Sequence, residues 1–356
     1  MNHDSPTYGG QTPSRGSAVA PRPLHQLTGT RQVLSVAQLR EHGVTPAVTA
    51  ERCRAGGPWQ QILPGVFLLH PGAATSEERL HAALLYAGRP ASGAVPQQPP
   101  LPHPVQRVFG DAMITGLAAL ALYGFAAAPP LPALEQFDVL VPSTRRLRST
   151  GCVRLVRAHT PPAPQEVTGV PVAPVARALA DAVADLADAG TVRRLLSEAV
   201  RGGYCEPAAV VRELTLARLL NRPHVVDAVD SLLAEGRAIA EDRLYRLVRE
   251  YGLPDPVWNV DLRLPGGPHL GGVDAYWPDH AVAVELDTRA PRQGEDEQWS
   301  EYARKREHLE RLGLTVVYIT PRKLRDHAEQ QATVVRTALT ASGDREPASY
   351  VVVLPR

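Results

Sequence analysis

Lysine is almost missing from this chain of 356 residues: Lys305 and Lys323 are the only two, so nearly all of its 38 basic side chains are arginine. Any lysine-dependent chemistry must therefore use one of that pair. Aromatic residues are scarce at 5%, so the core must be built from Ala, Val and Leu. Three cysteines, Cys53, Cys152 and Cys205, stand far apart with no Cys-x-x-Cys pair. That spacing excludes a disulfide framework and a cysteine zinc site, and it predicts a reducing, cytoplasmic compartment. A formal charge of +1 excludes a globally basic nucleic-acid binder but leaves room for a local patch. No apolar run reaches the 18 or so residues of a membrane span, so no membrane association is expected. P-loop, dinucleotide fingerprint, nucleophile–base pair and internal repeat are all missing as well.

What remains is an α/β (α+β) chain long enough for two or three domains. Residues 1–30, rich in Gly, Pro and Ser, read as a disordered tail. Residues 31–74 read as a winged helix-turn-helix. Ser35 caps a helix over VAQLREH, and Thr45 with Pro46 starts a second that stops at Gly56-Gly57. The run QQILPGVFLLH then folds as a hairpin about Pro64-Gly65. The second helix would offer Thr49, Arg52 and Arg54 to a DNA groove; packing against the rest of the chain is the alternative use of such a module. Residues 75–230 read as a mixed α/β middle domain. It opens on a capping box, Thr75 to Glu78, crosses the Pro-rich loop PASGAVPQQPPLPHP, and continues through the apolar helix AMITGLAALALYGF. Two strands follow, with Arg145, Arg146 and Arg148 at the turn between them, and then three helices. Residues 346–356 form a tail able to add an edge strand through SYVVVLP.

Residues 231–345 carry the chemistry. In GGVDAYWPDHAVAVELDTR, Asp274 lies near the end of one apolar run, and a Pro278-Asp279-His280 turn leads into a second run carrying Glu285 and Asp287. Alternate strand residues share a face, so Glu285 and Asp287 point together and the hairpin brings Asp274 beside them. Three hard oxygen ligands suit Mg²⁺ or Mn²⁺. On the helix EYARKREHLERLG, Tyr302, Leu309 and Leu312 define the buried stripe, which predicts Arg306 as the inward cation in preference to Lys305 or Arg304.

Two resemblances sharpen these expectations. The motifs SVAQLREHGVT, RAGGPWQQILPGVFLL and TSEERLHAALLYAG, and the helices after residue 169, resemble AbiEi-type antitoxins, the repressors of type IV toxin–antitoxin pairs. That resemblance implies a DNA-binding regulator with double-stranded DNA and a cognate toxin protein as partners. Residues 239–339 resemble the PD-(D/E)xK nuclease superfamily, in its very-short-patch-repair-like branch. This implies a restriction-endonuclease-like core of helix, three strands, helix, strand and helix. Asp274, Glu285 and Asp287 would be metal ligands, Glu241 would orient water or complete the site, and Lys305 or Arg306 would offset phosphate charge. Asp287 stands where that superfamily usually has lysine. The alternative to a regulator is thus an active Mg²⁺-dependent DNA endonuclease.

Overall fold

Capping residues set the first elements. The computed structural model describes residues 32–88, 108–288, 305–342 and 351–355; the expected tail 1–30, the Pro-rich loop, and Tyr302 and Arg304 lie outside them. Strand β1 (Val33–Ser35) runs straight into α1 (Val36–Glu41). The Ser35 side chain accepts the Gln38 N–H, and Gln38 reciprocates to the Ser35 N–H, forming a capping box. Thr45 caps α2 (Pro46–Arg52) through the Val48 N–H, with Pro46 at the first helical position. Strands β2 (Gln60–Leu63) and β3 (Val66–Leu68) form the expected hairpin, with Gly65 at φ 67° in its turn. All three strands pair antiparallel in the order β1-β3-β2 over a small core of Leu34, Leu39, Trp59 and Phe67. Helix α3 (Ser76–Ala87) begins on the expected Thr75–Glu78 box. The chain divides into two compact units, Met1–Tyr86 and Ala87–Arg356.

In the second unit, the run expected as one apolar helix divides. Met113–Thr115 becomes β4, and only Gly116–Leu122 is helical, as α4. Gly116 turns the chain at φ 62°, and a Cβ there would collide with Asp138 Oδ2. Strand β4 is the middle of a mixed sheet with β5 (Phe137–Pro142), β6 (Val153–Ala158), β7 (Gln165–Val167) and β8 (Val170–Val172), in the order β6-β5-β4-β8-β7. Helices α5 (Val175–Asp185), α6 (Ala189–Arg201) and α7 (Pro207–Leu216) follow.

Helix α8 (Pro223–Glu250) runs unbroken across residues 230 and 231, where the sequence pattern suggests a domain boundary. Its first half buries Val225, Ala228, Val229 and Leu232. Its second half puts Ala240, Leu244 and Leu247 against the other sheet. That sheet holds β9 (Val257–Arg263), β10 (His269–Trp277), β11 (Val282–Leu286), β12 (Thr315–Ile319) and β13 (Val352–Pro355), in the order β12-β11-β10-β9-β13. Only β11 and β12 pair parallel. A helix over 305–311, α9, covers one face through Leu309. On the other face α10 (Pro321–Asp326) and α11 (Ala328–Ser342) supply Leu324, Val335 and Leu339 beside α8. The terminal residues expected as a tail thus contribute an edge strand, because β13 pairs with β9. Among the described residues no helix is long and apolar enough to cross a membrane.

Helix α8 meets α7 at Gly236, where a Cβ would run into Pro207 Cγ. A proline ring cannot swing aside. Gly236→Ala is therefore expected to cost about 1–3 kcal/mol by overpacking, although alanine exceeds glycine by about 1 kcal/mol in helix preference. A urea midpoint equal to or above that of the parent would mean that the seam between the helices yields.

Candidate functional site

A carboxylate in the middle of a sheet must have partners, because a lone buried charge is prohibitively costly. Asp274 sits in central strand β10 with only 3% of the residue exposed. Local strand geometry explains how it finds its partners. Residues two apart along a strand normally share a face, yet Val273 packs in one core layer and Ala275 in the other. The neighbouring strand does the same, with Val260 and Trp258 on opposite sides. The change of face falls at Asp274 and at Asn259, whose φ of 50° is left-handed. Asparagine tolerates that region better than most residues. Regular pairing between β10 and β11 ends at Ala275 and Val284. Beyond it the Leu286 N–H donates to Asp274 Oδ2 at 2.6 Å, so the side chain takes the role that a strand carbonyl would have.

The other oxygen faces helix α8. Arg237 Nη2 donates to Asp274 Oδ1 at 2.5 Å, and Arg237 Nε donates to Glu241 Oε1 at 2.8 Å. Arg237 and Glu241 are four residues apart on one helix face, and their pairing holds the guanidinium toward the strand. Glu285, 7% exposed on β11, has a separate cation. Lys305 Nζ donates to Glu285 Oε2 at 2.8 Å and to the Gly272 carbonyl at 2.9 Å. The lysine can come this close because Gly271 has no side chain; a Cβ there would lie 2.6 Å from Lys305 Cε.

Several expected placements change. Lys305, not Arg306, is the inward cation: it stands four residues before buried Leu309 and shares that face. Arg306 is turned to solvent and pairs with Glu310 at 2.6 Å, which raises its pKa. Asp287 lies just past the end of β11, half-buried, and its N–H donates to the Ile319 carbonyl. Asp274, Glu285 and Asp287 do not gather as expected for Mg²⁺ or Mn²⁺: among the described residues no three His, Cys, Asp or Glu side chains form a group able to hold a metal ion. All-oxygen donors suit such an ion in kind, but Asp274 spends its oxygens on Arg237 and the Leu286 N–H, and Glu285 binds Lys305. Arg237 and Gly271 are the contributors that spacing alone does not single out. Their signals are a basic residue one helical turn before Glu241 and a glycine inside a strand.

In the first unit, Thr49 is buried at 8%, and its hydroxyl donates to the Thr45 carbonyl. It faces the core and is removed from the candidate DNA contacts. Arg52 and Arg54 are exposed, and the Arg52 guanidinium lies over the Trp59 ring, 4.6 Å from its centroid. No family model matches the chain, and a search of curated proteins gives no match.

Gly271 also carries a φ of 116°, which any other residue would find strained. Gly271→Ala should cost about 1–3 kcal/mol and displace Lys305. In a Lys305→Ala background that cost should shrink by at least about 0.5 kcal/mol, the usual floor for residues in contact. Equal costs in the two backgrounds would show that the approach of Lys305 adds nothing.

Proposed function

We propose that the chain is a DNA-binding protein of the antitoxin-like regulator kind. The first unit holds duplex DNA, and the rear domain serves as a nuclease-like platform for binding rather than cutting. The observation that carries this reading is the pairing of the two central acids with cations of the chain itself, Arg237 on Asp274 and Lys305 on Glu285. Such an arrangement stabilises the sheet without an added ion. It leaves no group of acids poised for a metal among the described residues. For the first unit, the support is a helix–turn–helix–hairpin order with Arg52 and Arg54 exposed at and just past the end of α2. Arginine is well suited to phosphate, since its planar fork matches two oxygens at once. In this reading the partners are double-stranded DNA and a cognate toxin protein, in the cytoplasm.

One observation favours a second reading, a Mg²⁺-dependent DNA endonuclease of the very-short-patch-repair-like branch. Lys305 rests on Glu285 with Asp274 on the adjacent strand. An acid pair and a lysine are the residue types such a centre uses, lysine offsetting charge on the phosphate. A bound Mg²⁺ or Mn²⁺ would supply Lewis-acid chemistry. Plasmid nicking that requires Mn²⁺ and disappears in Glu285→Gln would establish this second reading over the first.

Two exposed arginines support few phosphate contacts. Duplex binding should therefore be weak, in the micromolar range or above, with a salt slope of roughly −2 on a log–log plot. Arg54→Ala should reduce that slope by about 0.9. Because Arg54 is exposed while Arg52 stacks on Trp59, the Arg54 change tests DNA contact without disturbing the core. Fluorescence anisotropy giving an unaltered slope and affinity would remove Arg54 from the DNA interface.

A further inference from the structure

Arg237 is a single cation that serves both Glu241 and Asp274. Its Nε faces the helix acid at 2.8 Å and its Nη2 faces the strand acid at 2.5 Å. The remaining Asp274 oxygen accepts the Leu286 N–H, so an incoming ion must compete with the guanidinium for this carboxylate. An undisplaced arginine would stand beside a dication, and like charges at such range repel strongly. The Arg237 side chain is 40% exposed, against 4% for that of Asp274. It can leave toward water by a change of rotamer while α8 and β10 stay in place. Glu285 does not replace what is lost, because Lys305 holds it.

We propose that Arg237 is a built-in counter-cation that closes this acid centre to divalent ions, and that its side chain acts as the gate. The inference rests on the reading of the rear domain as a platform rather than a metal-loaded enzyme. Its consequence is that the wild-type fold is indifferent to divalent ions, whereas a chain without the guanidinium gains a need for one.

The test uses the full chain, Mn²⁺ as the probe, and calorimetric melting with isothermal titration as the readouts. Wild-type protein should melt at the same temperature in Mn²⁺ and in chelator, and should give no binding isotherm. Arg237→Gln should melt roughly 10 °C lower in chelator, the loss expected when a buried carboxylate loses its cation. Mn²⁺ should restore at least half of that loss by binding the folded form. Should Arg237→Gln fail to fold in chelator, recovery of the melting transition on adding Mn²⁺ supports the proposal and lack of recovery overturns it. The double change Arg237→Gln with Asp274→Asn removes the uncompensated charge. It should be at least as stable as the single variant and lose the response to Mn²⁺. Equal stabilisation of wild type and Arg237→Gln by Mn²⁺ would overturn the proposal, as would a folded Arg237→Gln that ignores the ion. DNA binding does not enter these readouts. A failed anisotropy experiment would end the DNA reading and leave the gate standing, and a failed Mn²⁺ rescue would do the reverse.

Discussion

The rear half of the molecule is organised around one buried carboxylate. Asp274 lies where β9 and β10 exchange faces, a point at which backbone pairing with β11 has just stopped. Its two oxygens join three elements: the Leu286 N–H of β11, the Arg237 guanidinium of α8, and the strand that carries it. Asparagine could keep the strand-to-strand bond but not the charge attraction to arginine. A hydrophobic residue would leave the buried Leu286 N–H unsatisfied, at about 1–3 kcal/mol, and Arg237 with Glu241 alone. The same constraint places Glu285 and its lysine on the other side of the sheet, since alternation along β11 sends Glu285 toward the layer of Ala283 and Leu309. The two central acids therefore stand on adjacent strands but answer to different helices.

Much of this was legible from residues alone. Ser35, Thr45 with Pro46, and the Thr75–Glu78 pair announce helix starts because their side chains satisfy exposed N–H groups. Pro64-Gly65 announces a hairpin because glycine reaches φ 67° at no steric cost. The order of elements from α8 to α11 is expected from the resemblance of residues 239–339 rather than from periodicity, and the apolar run SYVVVLP marks the last residues as able to add an edge strand. The features that escaped are those in which a single residue departs from its period. Alternation read as continuous through GGVDAYW cannot reveal that the strand changes face at Asp274. The run AMITGLAALALYGF is apolar throughout, and only the backbone of Gly116 separates its strand from its helix.

Charge was harder to place than hydrophobicity. Thr49, Arg52 and Arg54 are close in sequence, but helical rotation puts Thr49 against the core and Arg52 outside, while Arg54 lies exposed beyond the helix end. On α9 the stripe counted from Tyr302 suggests Arg306. Leu309 lies at 0% exposure, and the residue four before it is Lys305. A stripe sampled at two or three positions fixes a helix face to about one residue, or 100° of rotation, and a site of ion pairs is decided within that margin. Nothing in residue type predicts that a chain so poor in lysine would spend one of its two on a glutamate in a sheet.

Helix α8 spans 28 residues, about 42 Å at 1.5 Å per residue. Its first half is part of the core beneath α6 and α7, and its second half is part of the core beneath β10 and β11. In the second core it shares its face of the sheet with α10 and α11. The rod therefore makes the two sheets of the second unit a single thermodynamic partnership: melting either core removes part of the wall of the other. A cut between residues 230 and 231 would yield two fragments, each missing the surface that its apolar side chains are shaped to cover.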